Sequence, residues 1–109
     1  PALYRIADVV ALTSAFGEAS PLCLAEGAAS GAIPVTTDVG DAARVVAGIG
    51  LVTPRDADAI AAAWHEALSH RMELRSAAIS SRARLDRRRM VGDYRGAIEE
   101  LVLPEVLAA

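Results

Sequence analysis

Glu18 and Glu26 stand either side of a short turn in the stretch Glu18-Ala19-Ser20-Pro21-Leu22-Cys23-Leu24-Ala25-Glu26. The turn has the residues of a helix start. Ser20 is a good N-cap, because its hydroxyl can accept from a free N–H of the first turn. Pro21 suits the first helical position, where its fixed φ helps and its missing N–H costs nothing. The N–H groups of Leu22 and Cys23 then leave the helix end unpaired, and such an end attracts anions, phosphate above all. Glu26 follows Leu22 by one helical turn and shares its face. Helical side chains lean back toward the N-terminus, so its carboxylate can reach the same mouth, while Glu18 lies on the loop before the cap. A carboxylate is a poor neighbour for phosphate but a good acceptor for hydroxyls. Phosphate in the middle with hydroxyls at both ends describes a nucleotide-sugar: ribose, diphosphate, sugar. The competing reading is a plain helix start with two solvated glutamates, and the elements around the turn must decide between them.

Those elements alternate. Residues 7–13 read as a buried strand, and residues 21–30 as a helix ended by Gly31 as its C-cap. Ile33-Pro34-Val35-Thr36-Thr37 reads as a second, β-branched strand with Pro34 tolerable at its entrance. Residues 42–47 suit a short helix and residues 48–53 a short third strand. Asp56 is an N-cap for a helix over 57–69, in which Ile60, Ala63, Trp64, Ala67 and Leu68 form one apolar face with Trp64 in the core. Residues 71–89 read as helical, with Leu74, Ala78, Ser81 and Leu85 as a narrow stripe. Gly92 is expected to break the pattern, and a last helix over 93–103 to bury Tyr94, Ile98, Leu101 and Val102 before Pro104 ends or kinks it. This is the α/β alternation of a Rossmann-like parallel sheet with flanking helices. Ligands of such sheets bind beyond the carboxyl ends of the strands, which is where the turn between Glu18 and Glu26 falls. Two full strands and a short one are fewer than a doubly wound domain needs, so further strands are expected upstream. A chain that opens on Pro1 without Met is expected to be a piece of a longer protein.

Composition narrows the function classes. The 109 residues are 53% hydrophobic, 23% charged and only 4% aromatic, so the core must be built from Ala, Val, Leu and Ile. A net charge of −3 gives no case for bulk nucleic-acid binding. No apolar run is long enough to span a bilayer, and a signal peptide is not expected, since the first residues lack a basic stretch before an apolar core. Cys23 is the sole cysteine, which excludes an intrachain disulfide and suits a packing or backbone role. His65 and His70 have no partner set for a metal. All eleven basic residues are arginine, and eight of them crowd into residues 71–95. That stretch has two readings, a solvated helix face or a contact with anionic lipid.

Taken together, Ala7-Asp8-Val9-Val10-Ala11-Leu12-Thr13-Ser14, the Glu18–Glu26 turn, the run from Gly31 to Gly40, and Gly50-Leu51-Val52-Thr53-Pro54 resemble the donor-binding domain of retaining GT-B glycosyltransferases. The match is to the "glycosyl transferases group 1" family, whose signature is two glutamates separated by seven residues between an Asp-Val strand and a Gly-x-Pro-Val strand. The resemblance spans essentially the whole chain. It implies that residues 1–109 are the C-terminal part of a nucleotide-sugar-binding domain, with the acceptor domain and the first strands of this domain outside the chain. Asp38-Val39-Gly40-Asp41 is similar to the subset that builds bacterial surface polysaccharides.

The resemblance also implies roles. Glu26 would hydrogen-bond the ribose hydroxyls, and Glu18 would contact the transferred sugar near the reacting centre as the catalytic carboxylate. Ser20, Pro21, Leu22 and Cys23 would line the diphosphate and sugar. The partners implied are a nucleoside-diphosphate-sugar donor and an acceptor glycan or lipid-linked sugar, with no nucleic acid, and no metal or other cofactor is expected. The implied location is the cytoplasm, with peripheral contact at the inner membrane leaflet as the lipid reading of the arginines. Some residues depart from the pattern. Ala19-Ser20 stands where the family often has Gly and an aromatic, Gly27 where Ala is usual, and Arg44 where Glu is frequent. The Arg and Lys that neutralise the leaving diphosphate in the family lie upstream of this segment. Two rivals share the fold: a sugar-nucleotide epimerase, and a non-catalytic nucleotide-binding or interaction module that has lost the chemistry.

Overall fold

The computed structural model of the chain describes residues 2–107, with side chains of residues 2–102. Three parallel strands, β1 (Val9–Leu12), β2 (Ile33–Thr37) and β3 (Leu51–Thr53), lie in the order β1-β2-β3. Val9 faces Ile33 across the first pair and Val35 faces Leu51 across the second. Helix α1 (Ala2–Ile6) precedes the sheet, α2 (Leu22–Ser30) joins β1 to β2, and α3 (Ala42–Val46) joins β2 to β3. After β3 come α4 (Ala57–Ser69), α5 (Arg71–Ser80), a 3-10 turn at Ser81–Ala83, and α6 (Arg87–Leu107). The α/β expectation holds.

Strand alternation sorts the core into two layers. Val10 and Leu12 point to one face, where Leu24 of α2 packs with Ala42 and Val46 of α3. Val9, Ile33, Val35 and Leu51 point to the other, against Ala63 and Ala67 of α4 and Leu74 of α5. A third cluster, Ala28, Ile49 and Ala78 with Leu85 beside it, lies where α2 meets α5. β2 is buried along its whole length because it has a strand on each edge and helices on both faces. β1 is the edge of the described sheet, so it is half-buried rather than buried, with Ala11 exposed.

Gly27 explains its own departure from the family pattern. A Cβ there would lie 2.4 Å from Val10 Cγ1. The glycine lets α2 settle onto β1 at a point where the strand carries a branched side chain.

Several expectations need correction. β3 spans only Leu51–Thr53, because Gly48-Ile49-Gly50 turns to drop Ile49 into the third cluster. Trp64 is not core: it is 45% exposed, and the buried members of the α4 face are Ala63 and Ala67. The helix expected over 71–89 stops at Ser80. The Ser81 hydroxyl donates to the Ala78 carbonyl at 2.7 Å, and Asp86 Oδ1 accepts from the Arg88 N–H at 2.7 Å to start α6. Gly92 therefore lies inside a helix, not at a break, and α6 does not end at Pro104. Tyr94, Ile98, Leu101 and Val102 are all exposed, Leu101 at 75%. α6 extends from the body, which gives a radius of gyration of 17.0 Å, against about 13 Å for a compact domain of this size.

The arginine stretch is also more structural than either sequence reading of it. Arg82 Nε donates to the Ala29 carbonyl at 2.7 Å, and Arg84 Nη2 to the Val45 and Ala47 carbonyls at 3.1 and 3.3 Å. These side chains satisfy carbonyls at the C-terminal ends of α2 and α3. Arg71 pairs with Asp8 at 3.3 Å, in front of β1.

Candidate functional site

The carboxyl ends of β1 and β2 carry two loops, 13–21 and 38–41, and the strands themselves hold them in place. Thr37 Oγ1 donates to the Ser14 carbonyl at 2.7 Å, and Thr36 Oγ1 to the Leu12 carbonyl at 3.1 Å. Both threonines are buried, so these bonds satisfy hydroxyls that would otherwise be costly there. From the other side, Gly40 adopts φ +57° and approaches the Glu18 carbonyl so closely that a Cβ would overlap it. The Asp41 N–H then donates to the Ala19 carbonyl at 3.3 Å. The 13–21 loop is clamped between β2 and the turn into α3.

Within that clamp Glu18 is half-buried and accepts from the Ser14 hydroxyl at 2.6 Å. Donation from a neighbouring hydroxyl orients a carboxylate and leaves its second oxygen open to the solvent side. Glu26 sits in the second turn of α2, exposed, with Tyr4 of α1 beside it. Partial burial, then the charges of Glu26 and Cys23, raise the Tyr4 phenol above its ordinary range. No hydrogen bond joins the two glutamates among the described residues. They occupy separate positions, one on the loop and one on the helix.

The helix start differs from the expected cap. α2 begins at Leu22, with Pro21 at the N-cap in an extended conformation (φ −72°, ψ 100°) and no side chain capping it. Ser20 is exposed and does not cap, since Pro21 takes the cap position one residue later. Pro21 itself is buried. Leu22 is 69% exposed at the mouth, and Cys23 is half-buried against the Leu24–Ala42–Val46 cluster, a packing position. The Pro21 carbonyl accepts from the Leu24 N–H at 3.2 Å. Among the described residues the N–H groups of Leu22 and Cys23 have no acceptor, so the anion-seeking end survives the change of cap. The C-terminus is as expected, with Gly31 at φ 95°.

Sequence reasoning gave no role to Ser14, Thr37, Gly40 or Tyr4. The first three had a local signal: Ser14 is four residues from Glu18, and Thr37 and Gly40 end and follow the second strand. Tyr4 had none, because its proximity to Glu26 depends on how α1 lies along α2. An open groove of about 500 Å³ continues from this end of the sheet along Thr37, Asp38, Thr53 and Arg55. Arg44, which stands where the family frequently has Glu, pairs with Asp41, and this bond raises its pKa further above the usual guanidinium range. No group of three or more His, Cys, Asp or Glu able to hold a metal occurs among the described residues, and no described helix is long and apolar enough to cross a membrane.

The family model described as glycosyl transferases group 1 matches residues 1–70, which hold the sheet, both loops and α4. No curated protein and no solved structure matches the chain significantly. The family match covers more than half of the chain and includes both glutamates, the Gly40 clamp and all three strands, and on it the chain belongs to the group 1 glycosyltransferases, of GT-B type.

Proposed function

We propose that this chain is the donor-binding part of a retaining glycosyltransferase that moves a sugar from a nucleoside diphosphate to an acceptor hydroxyl. Family membership implies transferase activity, a nucleotide-sugar donor and an acceptor. The finer reading rests on one observation: the unpaired N–H groups of Leu22 and Cys23 open between a loop carboxylate and a helix carboxylate, on a loop fixed at the sheet's carboxyl end.

In this reading the diphosphate lies on the start of α2. Fixed N–H dipoles stabilise it as it leaves, with little reorganisation. Ser20 and Pro21 form the adjoining wall. Glu26 accepts from the ribose hydroxyls. Glu18, oriented by Ser14 at 2.6 Å, faces the sugar and stabilises the oxocarbenium-like transition state as a carboxylate does in glycoside chemistry. Its contribution requires it to be held in place before the reaction, which the Ser14 bond and the Gly40 contact both serve. The acceptor wall and the cations that neutralise the diphosphate are assigned to the acceptor domain and to upstream strands, so the isolated chain is expected to bind donor weakly and to transfer nothing. The reaction is expected to need no metal. The pathway proposed is surface polysaccharide or glycolipid assembly, in the cytoplasm with peripheral contact at the inner leaflet.

Titration of the chain with UDP, GDP and ADP, followed by NMR, tests the reading. Shifts at residues 18–26 with one nucleotide, lost in Glu26→Ala, are expected. Silence of the full-length protein toward all three, and toward their sugar conjugates, would overturn it. In the full-length enzyme Glu18→Gln should slow transfer by roughly 10²–10³-fold while leaving nucleotide affinity in place.

A further inference from the structure

Tyr4 is where α1 meets the site. Every other residue of α1 is exposed, Leu3 at 77% and Ile6 at 80%, and Tyr4 alone is half-buried. α1 packs against α2. Tyr4 meets the side of α2 that carries Cys23 and Glu26, which stand three residues apart and so are neighbours on the helix. Packing alone could have used Leu3 or Ile6, and both stay in solvent. The one side chain of α1 that is partly covered carries a hydroxyl, and it lies beside a carboxylate, within reach of a hydrogen bond.

Glu26 needs such a neighbour. Its side chain is exposed on a helix surface, and among the described residues no ion pair holds it. A long side chain left free must be ordered when a ligand arrives, and that loss of rotamer freedom weakens binding. An ionised carboxylate only accepts, at about four lone-pair sites, and a phenol has one proton to give. One bond from Tyr4 therefore occupies a single site and leaves room for both the 2′ and the 3′ hydroxyl of a ribose, each of them a donor. A hydroxyl donating to a charged oxygen is also among the stronger hydrogen bonds. Partial burial first, then the negative charge of Glu26, raise the phenol above its ordinary range, so it remains a donor at neutral pH.

We propose that Tyr4 is a positioning residue for Glu26: its hydroxyl donates to one carboxylate oxygen and holds the side chain so that the remaining lone pairs meet the ribose hydroxyls of the donor. This rests on the reading of Glu26 as the ribose acceptor and adds what fixes it. The two glutamates are then built alike, each held by one hydroxyl. Ser14 serves Glu18 from four residues upstream in the same loop, and Tyr4 serves Glu26 from a different element. The competing role for Tyr4 is packing against α2 with no part in binding. Tyr4→Phe separates the two, because it keeps the ring and removes only the hydroxyl.

Calorimetric titration of the full-length protein tests it, with UDP, GDP and ADP and with the 2′,3′-dideoxy form of each, which offers Glu26 no hydroxyl. The ratio of the two affinities is the ribose preference. Wild-type protein should prefer the ribonucleotide, and Glu26→Ala should remove that preference. Tyr4→Phe should lower it roughly 3–10-fold, the effect of having to order one long side chain, by weakening the ribonucleotide and leaving the dideoxynucleotide as it was. In a Glu26→Ala background Tyr4→Phe should change nothing. Equal weakening of both nucleotides by Tyr4→Phe would assign Tyr4 to packing and overturn the proposal. So would a ribose preference that Glu26→Ala removes and Tyr4→Phe leaves intact. A wild-type protein that binds none of these nucleotides, or binds them without ribose preference, would overturn the reading of Glu26 itself and the proposal with it.

Discussion

α2 and α6 both carry glycine inside a helix, and the glycines mean opposite things. Gly27 of α2 is buried, and its missing Cβ is the space that Val10 fills. Around Gly92 of α6, nothing beyond its chain neighbours and its own helix backbone stands within 4 Å of where a Cβ would be. The same contrast runs through both elements. α2 is held by the sheet beneath it, by Arg82 at its end and by the clamped loop at its start, and it presents Glu26 and free N–H groups at a fixed place. α6 is longer and carries more large apolar side chains, yet rests on little of the body. Position in the fold, more than composition, decides which glycine is costly to replace and which helix can hold a site.

The largest effect should come from the clamp. Gly40→Ala adds a Cβ that overlaps the Glu18 carbonyl, and does so at φ +57°. The obstacle is backbone and cannot rotate away, and the left-handed conformation carries a further cost for alanine. Together these should destabilise the chain by about 3 kcal/mol, read from urea unfolding. The resonances of residues 13–21 should move with it, because that loop must shift to make room. Unchanged stability would mean that the loop is not clamped as described.

Gly27→Ala should cost less, about 1 kcal/mol net. Overpacking against Val10 costs roughly 1–3 kcal/mol, and alanine's better helix propensity returns up to about 1 kcal/mol. The added methyl meets a side chain here, so the partner can be trimmed. Val10→Ala removes both γ carbons that crowd the position, and the double variant should be more stable than the sum of the single effects predicts, the sign of a direct contact. Additive behaviour would break the comparison, since Gly27 would then be as unengaged as Gly92.

Thr37→Val should cost about 1 kcal/mol. It keeps the shape of the buried side chain and removes the donor to the Ser14 carbonyl. The consequence for the site should exceed that for stability, because Ser14 also holds Glu18. A looser Ser14 backbone would be seen as faster amide exchange across residues 14–18, with the amides of β3 unaffected.

What could be read in the sequence divides along the same line as α2 and α6. β2 and α4 were legible to the residue, because β-branched residues bounded by Gly31 and Asp38, and an Asp56 cap before an apolar period, are local signals with local causes. The unpaired helix end was legible for the same reason, although the cap fell on Pro21 and not Ser20. Burial was less legible. Trp64, Tyr94, Ile98 and Leu101 have the spacing of a buried face, but spacing states which residues share a side and not whether anything lies against it. The break after Ser80 was missed because the helical period continues through it, and it depends on Asp86 and on Arg84 reaching across to α3. Tyr4 beside Glu26 is a tertiary contact that no local pattern records.

The smallest effect is the most direct test of the contrast, because it reverses sign. Gly92→Ala makes in α6 the substitution that harms α2. Nothing stands where the methyl would go, and Gly92 lies on the side of α6 away from Tyr94, so no apolar contact is disturbed. What remains is helix propensity, up to about 1 kcal/mol in favour of alanine, gained largely by restricting the unfolded segment. Because α6 packs on little of the body, it should open separately from the sheet, and the gain should stay local. Amide protection across residues 90–96 should rise by up to roughly fivefold, the equivalent of 1 kcal/mol, while the global urea midpoint remains where it was. A midpoint that rose with the protection would show that α6 unfolds together with the sheet. A fall in protection would mean that a neighbour does occupy the space beside Gly92, and the two glycines would then be alike.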